Sequence, residues 1–376
     1  MNKFKKIAVV MVVLLLSFTT LFAEGAKEAL ANQKDIVVLY TNDVHNAIDK
    51  NIGYAGLASY KKAMEKDNYV ALVDAGDAIQ GDVIGTVSRG EYLIDIMNEV
   101  GYDYCVLGNH EFDYGLDRLA ELLKKSKAEY LSSTITYTGS GINLLSDTKP
   151  YVIVEYGYMK VAYIGVSTPE SLTKSTPKYF MENNEFVYHF ASGTELYDTV
   201  QGYVDEVRQK GADIVIVISH LGIEEGSEPN RAYDLIANTD GIDAVIDGHS
   251  HSTVPCELVD NKIGGKVVYT QTGTKLEHIG KLTITPTGAI TAELVETTEK
   301  DPETEAYIES IKSEYEAAVN AVVAHTDVEL SITDENGVRM VRNRETAIGD
   351  LCADAYRAIS GADIAFVNGG GIRAAI

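Results

Sequence analysis

The sequence predicts an α/β protein, and two observations carry that expectation. From Asp35 onward short β-branched runs alternate with helical patterns, and several of the runs end directly in Asp, His, Asn or Gly. Alternation of this kind indicates helices covering sheet faces, and loops at strand ends are where such folds place their chemistry. The strand candidates are Ile36–Tyr40, Val70–Val73, Val152–Tyr156, Val161–Val166, Ile214–Ile218, Ala244–Ile246 and Lys266–Thr270. Leu116–Tyr130 and Glu195–Lys210 read as amphipathic helices. In the second, Leu196, Val200, Val204 and Val207 recur at helical spacing and imply one buried face. Glu303–Val323 is a longer helical pattern with a start signal at Asp301-Pro302. Beyond it, Arg339–Ile359 reads as a strand or turn followed by a helix, and Ile364–Val367 as a strand running into Asn368-Gly-Gly-Gly.

The chain has 376 residues, of which 45% are hydrophobic and 23% charged, values that exclude global disorder and leave room for two domains. The formal net charge of −24 argues against a nucleic-acid groove or an anionic-membrane binder, since both need clustered Lys and Arg. A small anionic substrate stays open, because a bound metal inverts the local field. Three cysteines make no disulfide framework. Lys3, Lys5 and Lys6 precede an apolar or small run from Ile7 to Phe22, followed by Ala23. These are the parts of a secretory signal peptide over 1–23, and the run is short of the ~20 residues of a spanning helix. The expected mature protein is exported to a periplasm or cell surface, with no stable membrane anchor.

Five of the eight histidines sit in motifs at strand ends. Asp43 and His45, in Asn-Asp-Val-His, are spaced to aim two side chains one way, although an Asx-turn with a surface His fits the same residues. Asp74-Ala-Gly-Asp77 places a carboxylate able to bridge two ions after a tight turn, a pattern that is also common without metal. Gly108-Asn109-His110-Glu111-Phe112-Asp113 offers a neutral oxygen ligand and a His with an Asp three residues on, though Asn109 could equally cap a helix. Ser219-His220 ends the most apolar strand candidate, where a His needs a ligand or partner. Gly248-His249-Ser250-His251 gives two imidazoles after a glycine turn. Taken together, Asp43, His45, Asp77, Asn109, His220, His249 and His251 supply seven groups for two ions sharing one carboxylate. Mixed oxygen and imidazole donors suit Zn, Mn, Co or Fe rather than Ca or a thiolate cluster. His189, His278 and His325 lie outside any ligand spacing.

In this order the motifs resemble those of the secreted 5′-nucleotidase and UDP-sugar hydrolase family within the calcineurin-like metallophosphoesterases. Arg342-Asn-Arg344-Glu-Thr-Ala-Ile-Gly-Asp and Asn368-Gly-Gly-Gly-Ile-Arg373 resemble that family's C-terminal domain. The resemblance implies a four-layer αββα sandwich followed by an incomplete α/β C-terminal 5′-nucleotidase domain. The implied divisions are a catalytic domain over 34–298, a linker helix over 299–326 and the beginning of a substrate-binding domain over 327–376. One ion would be held by Asp43, His45, Asp77 and His251, the other by Asp77, Asn109, His220 and His249. His110 and Asp113 match the family's catalytic dyad, and Arg342, Arg344, Asn368 and Arg373 match its substrate contacts. The family's base-stacking aromatic pair lies beyond the point where this sequence ends, so the last domain is expected to be truncated. The implied activity is metal-dependent hydrolysis of nucleoside 5′-monophosphates. The alternatives are 2′,3′-cyclic nucleotides or UDP-sugars as substrates, or an inactive metal- or nucleotide-binding fragment.

Overall fold

The computed structural model describes residues 33–322 and 324–376; the expected signal peptide at 1–23 lies outside the described residues. The chain divides into two compact units, one ending at Ile311 and the other running Lys312–Ile376.

In the first unit the strands in chain order are β1 (Ile36–Thr41), β2 (Tyr69–Asp74), β3 (Tyr104–Val106), β4 (Glu129–Leu131), β5 (Ile135–Tyr137), β6 (Tyr151–Glu155), β7 (Lys160–Ser167), β8 (Met181–Glu182), β9 (Glu185–Phe186), β10 (Tyr188–Phe190), β11 (Ile214–His220), β12 (Ala244–Ile246), β13 (Thr253–Asp260), β14 (Lys266–Thr272), β15 (Ile279–Ile284) and β16 (Ile290–Val295). Two six-stranded mixed sheets result, in the orders β16-β15-β1-β2-β3-β4 and β13-β14-β12-β11-β7-β6. Two small pairs, β5 with β10 and β8 with β9, lie beside them. The unbroken apolar runs become central strands: every residue of β1 and of β11 is buried. The edge strand β13 is mostly exposed and carries Pro255 at a break in register between Val254 and Glu257, a place where a missing N–H is tolerated.

The sheets pack face to face. Ile36, Val38, Tyr40 and Val73 from the first meet Tyr163, Ile216, Ile218 and Ile246 from the second in one buried cluster. The outer face of the second sheet buries Ile164, Val166 and Val217 against Leu196, Val200, Val204 and Val207 of the helix Thr194–Gln209. On the first sheet the helix Gly53–Met64 packs on β2, with Glu91–Val100 beside it and Leu116–Lys125 next in line. Helix, sheet, sheet and helix make the four layers that the family resemblance implies.

Three local expectations are corrected. The helix read as Leu116–Tyr130 stops at Lys125, and Glu129–Leu131 is a strand paired with β3. Ser126 takes extended backbone, and the apolar spacing that continues through Tyr130 serves a sheet instead of a helix face. Ile364–Val367 forms no strand among the described residues: no ladder partner adjoins it, and Ile364 and Phe366 are exposed. The helix read as Glu303–Val323 runs Pro302–Val319, and Asp301 Oδ2 accepts the Thr304 N–H at 3.0 Å at its start.

The second unit has one main helix, Ala347–Ser360, whose Thr346 hydroxyl accepts the Gly349 N–H at 3.2 Å. Gly361, at φ 69°, ends it in the left-handed conformation that favours glycine. Leu330 and Ile376 exchange main-chain hydrogen bonds, and Val341, Ile348 and Ile372 form a small buried cluster.

Candidate metal centre

All five motifs come together at the carboxyl ends of parallel strands, the position open α/β sheets use for ligands. Asp43 and His45 follow β1, Asp77 follows β2 and Asn109 and His110 follow β3, all in the first sheet. His220 ends β11, and His249 and His251 follow β12, both in the second. Asp43, His45 and His251 form one group with ligand atoms within 4.8 Å of one another, and Asp77, His220 and His249 form another. Each group therefore draws on both sheets.

Several of the donor atoms are buried with nothing to bond. His45 Nδ1 lies 2.9 Å from the Gln80 carbonyl and His220 Nδ1 2.6 Å from the Ala75 carbonyl. A carbonyl only accepts, so both Nδ1 atoms carry a proton, and in the neutral rings both Nε2 atoms keep the lone pair. His45 Nε2 then meets His251 Nε2 at 3.1 Å, and His251 Nε2 lies 3.3 Å from Asp43 Oδ1. His220 Nε2 lies 3.1 Å from Asp77 Oδ2 without hydrogen-bond geometry. Asp43 Oδ1, Asn109 Oδ1 and His220 Nε2 are all buried without a hydrogen-bond partner. Lone pairs gathered in a buried place are costly unless a cation is shared among them. The electrostatics call for positive charge at the same place. Burial alone would lower the His220 pKa, but the carboxylates of Asp77 and Asp43 push it up to about 10. Burial alone would raise Asp77, yet His220 and His110 hold it well below the usual carboxylate range. The residues present fit two divalent cations.

The loops that carry these groups are bent into uncommon conformations. Asp43 (φ 49°), His45 (49°), Asp77 (61°), His249 (77°) and His251 (52°) all have left-handed backbone, each at a cost of order 1–3 kcal/mol. At Gly108 a Cβ would collide with Asp77 Oδ1, so this loop passes the Asp77 carboxylate only as glycine.

Several supporting groups were not singled out from the sequence. Glu111 Oε2 accepts the N–H groups of Asp77 (2.8 Å) and Gly108 (2.7 Å), and its Oε1 that of Ala78 (2.9 Å), tying two ligand loops together. Burial, with Asp77 nearby, pushes its carboxyl up to about 7. Asp247 accepts from Ser219 Oγ, Leu221 N, Gly222 N and Tyr269 OH at 2.7–3.0 Å, and so fixes the His220 turn. Asn42 donates to Asp43 Oδ2 at 2.7 Å and accepts the Thr272 N–H at 2.8 Å, joining the first sheet to β14 of the second. These residues act on loop backbone and on neighbouring side chains, and their only sequence signal is adjacency to the motifs.

Beside the two groups, His110 Nδ1 and Asp113 Oδ2 are 2.6 Å apart, and the His110 ring stands edge-on to His45 at 5.3 Å. In the second unit Asn368 Oδ1 accepts the Gly370 N–H at 2.9 Å, and Arg373 Nε donates to the Gly370 carbonyl at 2.8 Å. Arg339, absent from the sequence-based set, donates to the Ile372 carbonyl at 2.7 Å and has its Nε buried without a partner. His189 pairs with Glu195 at the surface.

Comparison with known proteins fits this geometry. The family model described as "Bacterial capsule synthesis protein PGA_cap" matches residues 70–271, and the one described as "5'-nucleotidase, C-terminal domain" matches 322–376. A solved 5′-nucleotidase precursor from Thermus thermophilus aligns with a TM-score of 0.70 at 26% identity, covering 91% of this chain and 71% of that one. The chain belongs to the 5′-nucleotidase type of calcineurin-like phosphoesterases. It falls equally within the PGA_cap family, whose matched span holds Asp77, Asn109, His220, His249 and His251. The trifunctional nucleotide phosphoesterase YfkN of Bacillus subtilis is 26% identical over 388 residues, 91% of this chain and 25% of its own length. A 2′,3′-cyclic-nucleotide 2′-phosphodiesterase/3′-nucleotidase of Haemophilus influenzae is 31% identical over 279 residues, 64% of this chain and 40% of its own. The chain thus spans a quarter to two fifths of these curated relatives.

Proposed function

We propose that this chain hydrolyses phosphate esters at a dinuclear metal centre, with nucleoside 5′-monophosphates as its substrates. The observation that carries the reading is the set of buried donor atoms left without partners, Asp43 Oδ1, Asn109 Oδ1 and His220 Nε2, at the meeting of two His-containing groups. Asp43, His45, Asp77 and His251 would hold one ion, and Asp77, Asn109, His220 and His249 the other. The donor set suits Zn, Mn or Co. When bound, such a pair supplies Lewis acidity and a water acidified toward neutral pH.

The chain's own groups then have defined tasks. In the reaction the water oxygen forms a new bond to phosphorus, the ester bond to the 5′ oxygen breaks, and that oxygen takes the proton that the water gives up. Asp113 Oδ2 accepts a hydrogen bond from His110 Nδ1–H and fixes the ring, so Nε2 is the nitrogen that meets a phosphoryl or leaving oxygen. Glu111 and Asp247 keep the ligand loops in place. In the second unit, Arg342, Arg344, Asn368 and Arg373 are assigned to substrate contact, the guanidiniums offering forked donors to anionic oxygens. On this reading the catalytic domain is 34–298, 299–326 is the linker and 327–376 opens the substrate-binding domain. Export rests on the leader read at 1–23; among the described residues no helix is long and apolar enough to cross a membrane.

A second reading within the same chemistry, hydrolysis of 2′,3′-cyclic nucleotides, is favoured by the name of the Haemophilus relative. The test is hydrolysis of AMP, 2′,3′-cyclic AMP, UDP-glucose and bis-p-nitrophenyl phosphate, with and without Mn²⁺ or Zn²⁺. AMP turnover that chelator abolishes and metal restores is the expected result. Turnover of the cyclic nucleotide alone selects the second reading. No hydrolysis of any of them by a chain holding two ions would leave a metal-binding protein without this activity.

A further inference from the structure

Among the imidazoles of the metal centre, His249 is backed by a charge. His45 and His220 each turn a protonated Nδ1 to a main-chain carbonyl. His249 Nε2 instead lies 3.0 Å from Glu170 Oε2. Glu170 stands on the loop that follows β7, and His249 on the loop that follows β12, so the contact spans two strand ends of the second sheet. An ionised carboxylate only accepts, so the nitrogen facing it carries the ring proton, and Nδ1 keeps the lone pair. Lys174 Nζ is 3.2 Å from the same Nε2 and would by itself favour the opposite tautomer. It is, however, closer to Glu170 Oε2, at 2.8 Å, and nearly half exposed, so its protons have the carboxylate and solvent to bond. Glu170 also accepts from Lys174, but its oxygen 3.0 Å from the ring nitrogen would repel a lone pair there unless a proton lay between them.

We propose that Glu170 is a positioning residue of this centre: it fixes the tautomer and ring plane of His249 so that Nδ1 faces the ion held with Asp77 and His220. This rests on the dinuclear reading above. A carboxylate behind a ligating imidazole orients the ring and raises its basicity, and losing such a partner typically weakens metal binding about 10–100-fold. The other group, Asp43, His45 and His251, has no hydrogen bond or ion pair with Glu170 among the described residues, so its ion keeps its affinity.

The experiment is calorimetric titration of the metal-stripped full chain with Mn²⁺, paired with elemental analysis, for wild type, Glu170→Ala, Glu170→Gln and Lys174→Ala. The expected result is two ions in wild type, and in Glu170→Ala one site weakened about 10–100-fold beside one unchanged. Glu170→Gln recovers part of the loss, because its amide oxygen still accepts the Nε2 proton, and this recovery separates positioning from a fold defect. Lys174→Ala binds both ions as wild type does. Wild-type affinities in Glu170→Ala, equal weakening of both sites, or an equal loss in Lys174→Ala would each overturn the proposal. A wild-type chain that fails to take two ions would instead overturn the dinuclear reading itself.

Discussion

Up to Ile311 the chain closes two sheets over a continuous interior in which Tyr40, Tyr163, Ile216 and Ile246 are fully buried. From Lys312 to Ile376 the buried apolar residues among those described are Val341, Ile348 and Ile372, while Leu351, Tyr356, Ile359, Ile364 and Phe366 are exposed. The difference shows what a large interior makes possible. The first unit keeps five acidic or imidazole side chains on left-handed backbone and buries donor atoms without partners, both of which persist only where the surroundings over-determine the conformation. In the second unit Asn368 and Arg373 bond within the Gly369–Gly371 turn, and Arg339 Nε is the single buried polar side-chain atom without a partner among its described residues.

The comparison breaks first if the chemistry is not confined to the strained loops. Asp77→Ala removes the carboxylate shared between both proposed ion sites, and turnover should fall at least ~10³-fold, on the scale of deleting a central electrostatic group. Steady-state kinetics with elemental analysis checks it, and a variant keeping half its activity would move the site elsewhere. The contrast in interiors is sharpened by a matched pair. Ile216→Ala, at a fully buried central position, should destabilise its unit by about 3 kcal/mol. Ile348→Ala should cost its own unit only about 1 kcal/mol, because few neighbours close over it. Urea melts followed by probes in each unit would show this, and equal losses would erase the distinction. The smallest effect belongs to the exposed arginines. Arg373→Ala should raise KM for AMP about tenfold, the worth of one hydrogen bond from a charged donor. Turnover of bis-p-nitrophenyl phosphate should be untouched, and a loss on both substrates would deny Arg373 a part in nucleotide recognition.

Much of the first unit was legible because its signals are local. A strand buried on both faces is an uninterrupted β-branched run, so Ile214–Ile218 and Ala244–Ile246 stood out, and the groups that end them were found with them. The half-exposed strands β13 and β16 mix charged with apolar residues, and did not. The helix at Leu116 was overextended because nothing in Ser126–Tyr130 spells a stop, and the sheet that captures Glu129–Leu131 is assembled from residues far away in sequence. Metal-centre candidates were legible as strand-end His and Asp. Glu170, Glu111 and Asp247 were not, since what they do depends on which loop each one meets across the sheets. Ile364–Val367 shows the converse: a good strand composition is no strand without a neighbour to pair with.

Both ion groups take side chains from each sheet, Asp43 and His45 facing His251, and Asp77 facing His220 and His249. An ion seated in either group would therefore act as a rivet through the joint between the sheets as well as a reagent. Ligands that bind only the folded chain shift its unfolding equilibrium by mass action, by about 2.7 kcal/mol at a hundredfold excess over the dissociation constant. For a protein whose domains are held by margins of about 5–15 kcal/mol, the supply of divalent cation in its surroundings would set how long the fold itself endures.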